Sequence, residues 1–219
     1  MTPFLAAGPF SARDGEGRLL FEGVEIALAE GEAVVLDGPS GCGKSRLLRQ
    51  LVALDAPPMG ARSLRGRTYA GRSLPAWRSR VTLLAQDAPV LPGSVRAGLE
   101  AAFTFRAAQG RRFDSEAAKE LMSKVGLGRL PLDRDVGTLS GGERHRLALV
   151  RGLLWDPPVL VADEPLSGLD PESAAGCFDL LLGFARREGH ALIAVFHDPD
   201  FGRAADRMLR LSNGTLEER

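Results

Sequence analysis

The stretch EAVVLDGPSGCGKSRLLRQLVAL, from Glu32 to Leu54, decides the fold. It opens with an uninterrupted apolar run, Ala33 to Leu36, which is typical of a buried strand. After a glycine-rich loop, the leucines at positions 47, 48, 51 and 54 recur at helical spacing. The order strand, glycine loop, helix matches G-x-x-x-x-G-K-[ST], a loop whose backbone N–H groups surround phosphates at a helix N-terminus.

We therefore predict that this loop binds the phosphates of a nucleotide. Lys44 is expected to reach the β- and γ-phosphates, and the hydroxyl of Ser45 is expected to ligate Mg²⁺. We interpret Cys42 as a tolerated small residue rather than a reactive thiol. The predicted binding residues are Gly38, Pro39, Ser40, Gly41, Cys42, Gly43, Lys44, Ser45 and Arg46.

A second phosphate-site element lies in VLVADE, from Val159 to Glu164. An apolar strand ends here in two acids, which places Asp163 at the carboxyl edge of the sheet, where it can hold Mg²⁺ through water. Glu164 follows directly and can act as the general base that polarises the attacking water. The loop alone is compatible with kinases, GTPases and many ATPases. This second element narrows the possible classes of nucleotide-binding protein.

The segment LSGGE, from Leu139 to Glu143, precedes the helical sequence RHRLALVRGLL. Ser140, Gly141 and Gly142 would offer hydroxyl and N–H donors to an anion at the helix N-terminus. The segment resembles the signature motif of the ATP-binding-cassette (ABC) ATPases, LSGGQ or LSGGE. The resemblance implies that this site completes the nucleotide pocket of a second copy, so that a homodimer encloses two ATP.

Other elements of that family occur in the expected order. Gln86 resembles the glutamine that contacts Mg²⁺ and water and links the core to a helical lobe. SGLD, which ends at Asp170, resembles the loop that crosses the dimer axis, and the resemblance implies that Asp170 contacts the nucleotide. His197 in VFHDPD resembles the histidine that contacts the γ-phosphate. The resemblance thus implies a catalytic set of Lys44, Gln86, Glu164 and His197.

The aromatic residue that stacks on adenine in this family is less well marked. Phe10 is the candidate, with Phe4 and Phe21 as rivals and core packing as the competing explanation. Two positions depart from the family pattern: Arg46 stands where Thr is usual, and His145 stands where Gln is common. Neither is a required phosphate or metal ligand.

The resemblance predicts an α/β P-loop ABC-ATPase fold in one domain, residues 1–219. A mainly parallel sheet would carry an antiparallel β-subdomain and a small α-helical lobe over about residues 90–145, with two or three helices between 94 and 127. Alternating segments at 19–37 predict strands and turns, and 55–80 predicts short edge strands and loops. Further predictions are strands at 81–86, 159–163 and 191–196, a helix over about 171–188, and then a short tail.

Composition limits the partners. Lys plus Arg and Asp plus Glu both total 28, so the formal net charge is zero and no nucleic-acid partner is expected. Six Arg between positions 62 and 80 are interpreted as a solvated face. No stretch approaches the roughly 20 apolar residues of a membrane span, and no signal peptide is recognised, so we expect a cytosolic chain.

These observations favour an ATP-hydrolysing subunit that drives a separate transmembrane permease. The chain would be peripheral on the cytoplasmic face of the bacterial inner membrane, and would contact the membrane only through its partner. Export, with iron or another metal as the substrate, is the narrower expectation. The alternatives are a soluble ABC clamp acting on nucleic acid or the ribosome, and a metabolic kinase.

Overall fold

The computed structural model describes residues 2–55, 60–86, 91–196 and 198–219. The strands are, in chain order, β1 (Leu5–Arg13), β2 (Leu19–Leu28), β3 (Ala33–Asp37), β4 (Ala61–Leu64), β5 (Arg67–Thr68), β6 (Val81–Leu84), β7 (Val159–Asp163), β8 (Ala191–Val195), β9 (Arg207–Ser212) and β10 (Thr215–Glu218). The α-helices are α1 (Lys44–Leu51), α2 (Leu74–Arg78), α3 (Val95–Glu100), α4 (Ser115–Lys124), α5 (Gly141–Trp155), α6 (Pro171–Ala185) and α7 (Pro199–Ala204). Short 3₁₀ helices cover Gly71–Ser73, Ala101–Thr104, Arg106–Ala108 and Val136–Thr138.

The main sheet has the strand order β10-β9-β3-β8-β7-β6. The strands from β9 to β6 run parallel, and β10 pairs antiparallel with β9. Every residue of β7 and β8 is buried, as are the first four of β3. Burial on both faces explains why these three strands are continuous apolar runs in the sequence. The predicted α/β class with a mainly parallel sheet is confirmed.

A second sheet is antiparallel, with the order β2-β1-β4-β5, and it confirms the predicted antiparallel β-subdomain. Its first strand, β1, was not predicted. The dipeptide Gly8–Pro9 interrupts the apolar pattern, and the pairing with β2 shifts register between Ala7 and Phe10. A register shift of this kind marks a bulge, and a bulge is a place where a sheet tolerates a proline, which cannot donate a backbone hydrogen bond.

The predicted helical lobe contains α3, two 3₁₀ turns and α4, which pack on α5. Asp114 starts α4 by accepting hydrogen bonds from the backbone N–H groups of Glu116 and Ala117. An isolated bridge between Ser94 and Asp135 joins the two ends of the lobe. The buried residues that hold the lobe together include Val95, Leu99, Ala118, Met122, Leu147 and Val150.

The prediction of a short tail after the last core strand was wrong, because β9 and β10 form a hairpin there. Leu209 and Leu211 are buried in the core on either side of the half-buried Arg210, and this alternation has the period of a strand. The two-residue loop is Asn213–Gly214, with positive φ at both positions, 51° and 83°. Asn-Gly is the strongest short hairpin signal, so the sequence did contain this information.

Three predicted ends were also too late. β6 ends at Leu84 rather than Gln86, β8 ends at Val195 rather than Phe196, and α6 ends at Ala185 rather than near Glu188. Beyond α6 the N–H of Arg187 bonds to the carbonyl of Phe184, three residues back, so the chain tightens into a turn. Apolar pattern alone does not reveal such a change of hydrogen bonding.

The prediction of short edge strands and loops over 55–80, with the six arginines between positions 62 and 80 as a solvated face, was wrong in part. This segment includes α2, and Arg62 is only 2% exposed. The Arg62 guanidinium donates to the carbonyls of Gln50 and Leu51 at the end of α1, at 2.5 and 3.4 Å, and to that of Gly60 at 3.0 Å. The last carbonyl groups of a helix have no hydrogen-bond partner within the helix, so they accept from such donors. A buried guanidinium in turn needs acceptors to offset the loss of its hydration.

Two further side chains cap the same end of α1. The indole N–H of Trp77 donates to the carbonyl of Leu51 at 2.9 Å, and Arg78 donates twice to that of Ala53, at 3.0 and 2.8 Å. Burial, and then the nearby charge of Arg78, lower the pKa of Arg62. The helix that begins at the glycine loop is thus fixed at its other end by the arginine-rich segment.

Candidate active site

The glycine loop lies at the carboxyl edge of the main sheet, between the end of β3 at Asp37 and the start of α1 at Lys44. Gly38 has φ 151°, and a Cβ there would lie 2.3 Å from the carbonyl oxygen of Leu211. Gly43 has φ 105°, and a Cβ there would press on the ring of Phe21 at 3.1 Å. Only glycine fits these two positions, and the loop therefore stays tight against the sheet.

The Lys44 ammonium lies over the loop, where Nζ donates to the carbonyls of Gly38 and Pro39 at 2.7 and 3.1 Å. Ser45 is exposed in the first turn of α1, which leaves its hydroxyl accessible. The N-terminal N–H groups of a helix have no partners within the helix, so this end attracts anions. The exposed part of the loop is Pro39, Ser40 and Gly41.

Arg46 was predicted as part of the binding loop, but its side chain points elsewhere. Its Nε lies 3.0 Å from a carboxylate oxygen of Asp55, and Arg49 approaches the other oxygen at 3.0 Å. The guanidinium is therefore engaged beyond the far end of α1. Only the backbone N–H of Arg46, in the first turn, remains suited to contact a phosphate.

Asp163 ends β7, two strands away from β3 in the sheet. Ala194 of β8 pairs with Val35 on one side and with Ala162 on the other, so Asp163 is level with the last residues of β3. The side chain is 8% exposed. Parallel strands bring their carboxyl ends to one edge, and the sheet thus places Asp163 at the same edge as the glycine loop.

Gln86 and Glu164 meet although they are far apart in sequence. The amide Nε2 of Gln86 donates to a carboxylate oxygen of Glu164 at 2.9 Å. Glu164 has φ 50°, a left-handed backbone that is uncommon for a residue with a side chain. Non-glycine residues in this region are strained and cluster at functional sites.

The donor set at this edge fits Mg²⁺. Ser45 offers a hydroxyl oxygen, Asp163 a carboxylate and Gln86 an amide oxygen, and these hard oxygens are the ligands that Mg²⁺ prefers. Over the part of the chain that the structure describes, no group of three or more His, Cys, Asp or Glu could hold a metal by itself. A site of this kind relies on phosphate oxygens to complete the coordination.

The segment LSGGE leads into α5, with Leu139 buried and Ser140 exposed at the start of the helix. The Ser140 hydroxyl oxygen accepts from the N–H of Glu143 at 3.2 Å, and the Glu143 carboxylate accepts from the N–H of Ser140 at 2.7 Å. That backbone hydrogen bond is the main reason why the pKa of Glu143 is lowered. The hydroxyl hydrogen of Ser140 is not used by this capping box, so it can still bind an anion. Gly141 is exposed and Gly142 is half-buried beside it.

Asp170 caps α6, where its carboxylate accepts from the N–H of Ser173 at 3.0 Å. This backbone hydrogen bond is the main cause of the lowered pKa of Asp170. The predicted contact of Asp170 with a nucleotide therefore stays a prediction. His197 lies outside the described residues, and its predicted contact with the γ-phosphate also stays a prediction.

The proposed adenine-stacking role of Phe10 is not compatible with its position. Phe10 is 0% exposed, and the Arg62 guanidinium lies over its ring, 5.4 Å from the centroid. The rivals Phe4 and Phe21 are buried as well, at 6% and 0% exposed. A base needs an accessible ring face, and the competing explanation, core packing, accounts for all three.

Sequence reasoning did not place His145 in the site. Its Nδ1 lies 2.8 Å from the carbonyl oxygen of Ser167, and its ring lines the same small cavity as Gln86 and Glu164. The only signal in the sequence was that His145 replaces a common Gln. That departure did not reveal which group the ring contacts.

The two cysteines are expected to react very differently with N-ethylmaleimide in the folded protein. Cys42 is partly exposed in the loop, whereas Cys177 is fully buried, and burial raises the pKa of the Cys177 thiol to about 11. Its thiolate is then about a hundredfold scarcer than that of an ordinary thiol at about pH 8. Mass spectrometry should find Cys42 modified, more slowly with ATP present. Equal labelling of both thiols would contradict the described burial.

A glycine loop with its lysine and an acid pair at one sheet edge define a P-loop nucleotide-binding protein. The family profile described as "ABC transporter" matches residues 21–167, and the chain belongs to the ABC transporter family as one of its ATP-binding, ATP-hydrolysing proteins. The "Lipoprotein-releasing system ATP-binding protein LolD" of Bordetella pertussis is 36% identical over 209 residues, which are 93% of this chain and 90% of that protein. The "Uncharacterized ABC transporter ATP-binding protein YbbA" of Escherichia coli is 35% identical over 224 residues, 95% of this chain and 93% of that protein.

Solved structures share the fold. A bacterial Atm1-family ABC exporter with ATP bound superposes with a TM-score of 0.82 at 24% identity, over 99% of this chain and 38% of that longer chain. CbiO1 of Clostridium perfringens, part of the transporter complex cbiONQ, gives a TM-score of 0.77 at 21% identity, over 98% of this chain and 87% of that one. Identities this low support the ABC fold alone.

These relatives correct the narrower expectation from the sequence. LolD and YbbA are not named as iron or metal exporters, so that assignment lacks support.

In the described parts of the chain, none of the helices is long and apolar enough to cross a membrane.

Proposed function

We propose that this chain is the ATP-hydrolysing subunit of a membrane transporter, a single cassette that pairs with a second copy around two ATP and drives a separate permease. The observation that carries the proposal is the hydrogen bond from Gln86 to Glu164, at the edge where the loop and Asp163 also lie. It joins a residue that follows β6 to the acid pair at the end of β7. The exposed signature turn at Ser140 supports the dimer, because it offers a second anion site on the surface.

Each residue then has a distinct task. The loop N–H groups and Lys44 bind the phosphates, and Ser45, Asp163 and Gln86 would hold Mg²⁺. When bound, Mg²⁺ supplies positive charge that neutralises the phosphate oxygens. Glu164 orients the attacking water and accepts its proton at a carboxylate oxygen, while the amide of Gln86 holds that carboxylate in place.

The dimer contributes the remaining groups. Ser140, Gly141 and Gly142 of one copy would bind the γ-phosphate of the ATP held by the other copy. Asp170 would lie at the dimer interface, and His197 would contact the γ-phosphate of its own loop. Catalysis of this kind depends mainly on positioning and charge stabilisation, so an incomplete pocket in a single copy would be a poor ATPase.

A groove beside the site offers a place for the permease. It has a volume of about 320 Å³ and lies between α2 and β6 on one side and the helical lobe and α5 on the other. Leu83 and Trp155 make its walls apolar, Phe105 is 66% exposed at its edge, and Arg78 and Arg151 add positive charge. An amphipathic cytoplasmic helix of the permease, with its apolar face in the groove, is the complementary partner.

The relatives suggest what such a transporter moves. The Bordetella protein is named for lipoprotein release, which makes outward release of a membrane-anchored substrate the candidate function here. Contact with the cytoplasmic face of the inner membrane would be through the permease alone. The soluble clamp on nucleic acid or the ribosome is not favoured by any specific observation.

Co-purification tests the transporter assignment. Tagged Glu164→Gln protein with ATP should retain a polytopic membrane protein from detergent-solubilised native membranes, identified by mass spectrometry. The change Phe105→Asp, made in the same background, should reduce that capture at least about tenfold, because it places a charge in an apolar contact. When Phe105→Asp is the only change in the chain, the rate of ATP hydrolysis should remain within about twofold of wild type, because Phe105 lies outside the nucleotide site.

Two results would contradict the assignment. Ribosomal or DNA-repair proteins among the partners, with nothing from the membrane, would favour the soluble clamp. Equal capture of the membrane protein by the Phe105→Asp variant would remove the groove from the proposed interface.

A further inference from the structure

His145 connects the signature helix to the loop that follows Glu164. It is the fifth residue of α5, half-buried, and its Nδ1 lies 2.8 Å from the carbonyl oxygen of Ser167. A carbonyl oxygen only accepts hydrogen bonds, so Nδ1 of His145 must carry the proton. The ring therefore donates from the signature helix to SGLD within one copy.

The accepting residue belongs to a turn that begins at Glu164. The N–H of Ser167 bonds to the carbonyl of Glu164 at 3.1 Å, which closes this turn. Glu164 itself has φ 50°, a left-handed conformation that is unfavourable for a residue with a Cβ. Such strain persists only where the surroundings hold the backbone. The carbonyl of Ser167 is thus a point at which the turn can be held.

The ring is also close to the predicted base. His145, Gln86 and Glu164 line one small cavity. Gln86 holds the carboxylate from the side of β6, at 2.9 Å, whereas His145 approaches from α5 and contacts the backbone of the turn. The two contacts act on different parts of the same element, one on the side chain and one on the main chain.

We propose that His145 is a positioning residue for Glu164, which it orients by donating Nδ1–H to the carbonyl of Ser167. This rests on the proposed role of Glu164 as general base. Ser140 lies about one turn earlier on the surface that a second copy is proposed to contact, and His145 therefore links that contact to the base of its own copy. A signature helix displaced by a nucleotide bound in the partner's loop would alter the orientation of Glu164.

The test compares two substitutions that differ in the donor. In His145→Asn the amide nitrogen lies as many bonds from Cα as Nδ1 does, so the hydrogen bond to Ser167 can form. In His145→Leu the side chain has a similar size but no donor. The Leu variant should lower kcat for ATP by about tenfold, with KM within about twofold of wild type, and Asn should restore kcat to within about threefold.

A matched control comes from the other described histidine. His190 also places Nδ1 near a backbone carbonyl, that of Glu188 at 2.9 Å, but it lies away from the site. The His190→Asn change should leave kcat unchanged. Adding His145→Leu to Glu164→Gln should cause no further loss of rate, because a residue that acts only through Glu164 has nothing left to orient.

The inference would be overturned by equal kcat values for the Leu and Asn variants, by a change in KM alone, or by a further loss of rate in the double variant. If the Leu variant does not fold, His145→Ala takes its place with the same expectations. Turnover that persists in Glu164→Gln would instead remove the proposed base itself. An inactive Glu164→Gln beside a fully active His145→Leu would overturn only the role of His145.

Discussion

Replacing Glu164 with Gln is expected to lower the steady-state rate of ATP hydrolysis by about 10²- to 10³-fold and to leave ATP affinity within about twofold. A carboxylate can accept the proton of the attacking water, whereas an amide cannot. The amide that replaces the carboxylate keeps an oxygen that can accept a hydrogen bond from Nε2 of Gln86. In the wild-type chain this nitrogen lies 2.9 Å from a carboxylate oxygen of Glu164. Binding should therefore survive while chemistry fails. Phosphate release at saturating ATP and equilibrium binding of ATP measure the two effects separately.

The control for this variant is Glu188→Gln. Glu188 is exposed beyond the end of α6, so the same chemical change there should leave both the rate and the affinity unchanged. Full turnover in Glu164→Gln would remove Glu164 from the role of base. Loss of ATP binding together with turnover would show that Glu164 acts in binding instead.

Replacing Arg62 with Ala is expected to destabilise the protein by about 3 kcal/mol, which corresponds to a fall of roughly 6 to 12 °C in Tm for a chain of this size. The change removes donors from the carbonyls of Gln50, Leu51 and Gly60 and leaves a cavity against Phe10. Relief of the repulsion from Arg78 offsets only part of this loss. Thermal and urea unfolding would measure the loss.

Two further variants serve as controls for the Arg62→Ala result. Arg72→Ala, in the same segment but exposed, should change stability by less than about 0.5 kcal/mol. Arg62→Lys should remain well below wild type, because one ammonium group cannot reach three carbonyls as a planar guanidinium does. A wild-type Tm for Arg62→Ala would show that the capping of α1 contributes little.

The sequence predicted the parts of the fold that depend on short-range pattern. The glycine loop and the apolar runs that became β3, β7 and β8 are local signals, and each was identified correctly. The β9–β10 hairpin was missed although Asn213–Gly214 marks it, because the segment was taken for a tail. β1 was missed because Gly8–Pro9 breaks the pattern, and pairing with two neighbours supplies the stability that local propensity lacks.

The order of the motifs along the chain predicted which residues belong to the candidate site, but not how their side chains contact one another. Motif order indicated Gln86 and Glu164 separately, but their 2.9 Å contact depends on how β6 and β7 pair in the sheet. Phe10 was misassigned because spacing does not reveal which side of a strand faces the core. Arg62 was expected to be exposed to solvent. The three carbonyl groups that accept its hydrogen bonds come within reach only when the chain folds, so the sequence around Arg62 does not reveal them.

The central claim is that a second copy completes the site by placing its signature turn on the nucleotide of the first. The most direct measurement is the mass of Glu164→Gln in solution by size-exclusion chromatography with light scattering, with and without ATP and Mg²⁺. We expect the 23.4 kDa monomer without nucleotide and twice that mass with ATP and Mg²⁺. Adding Ser140→Arg, which blocks the turn, should keep the chain monomeric while ATP still binds. A monomer at saturating ATP, or a dimer that forms regardless of ATP and Ser140, would contradict the account.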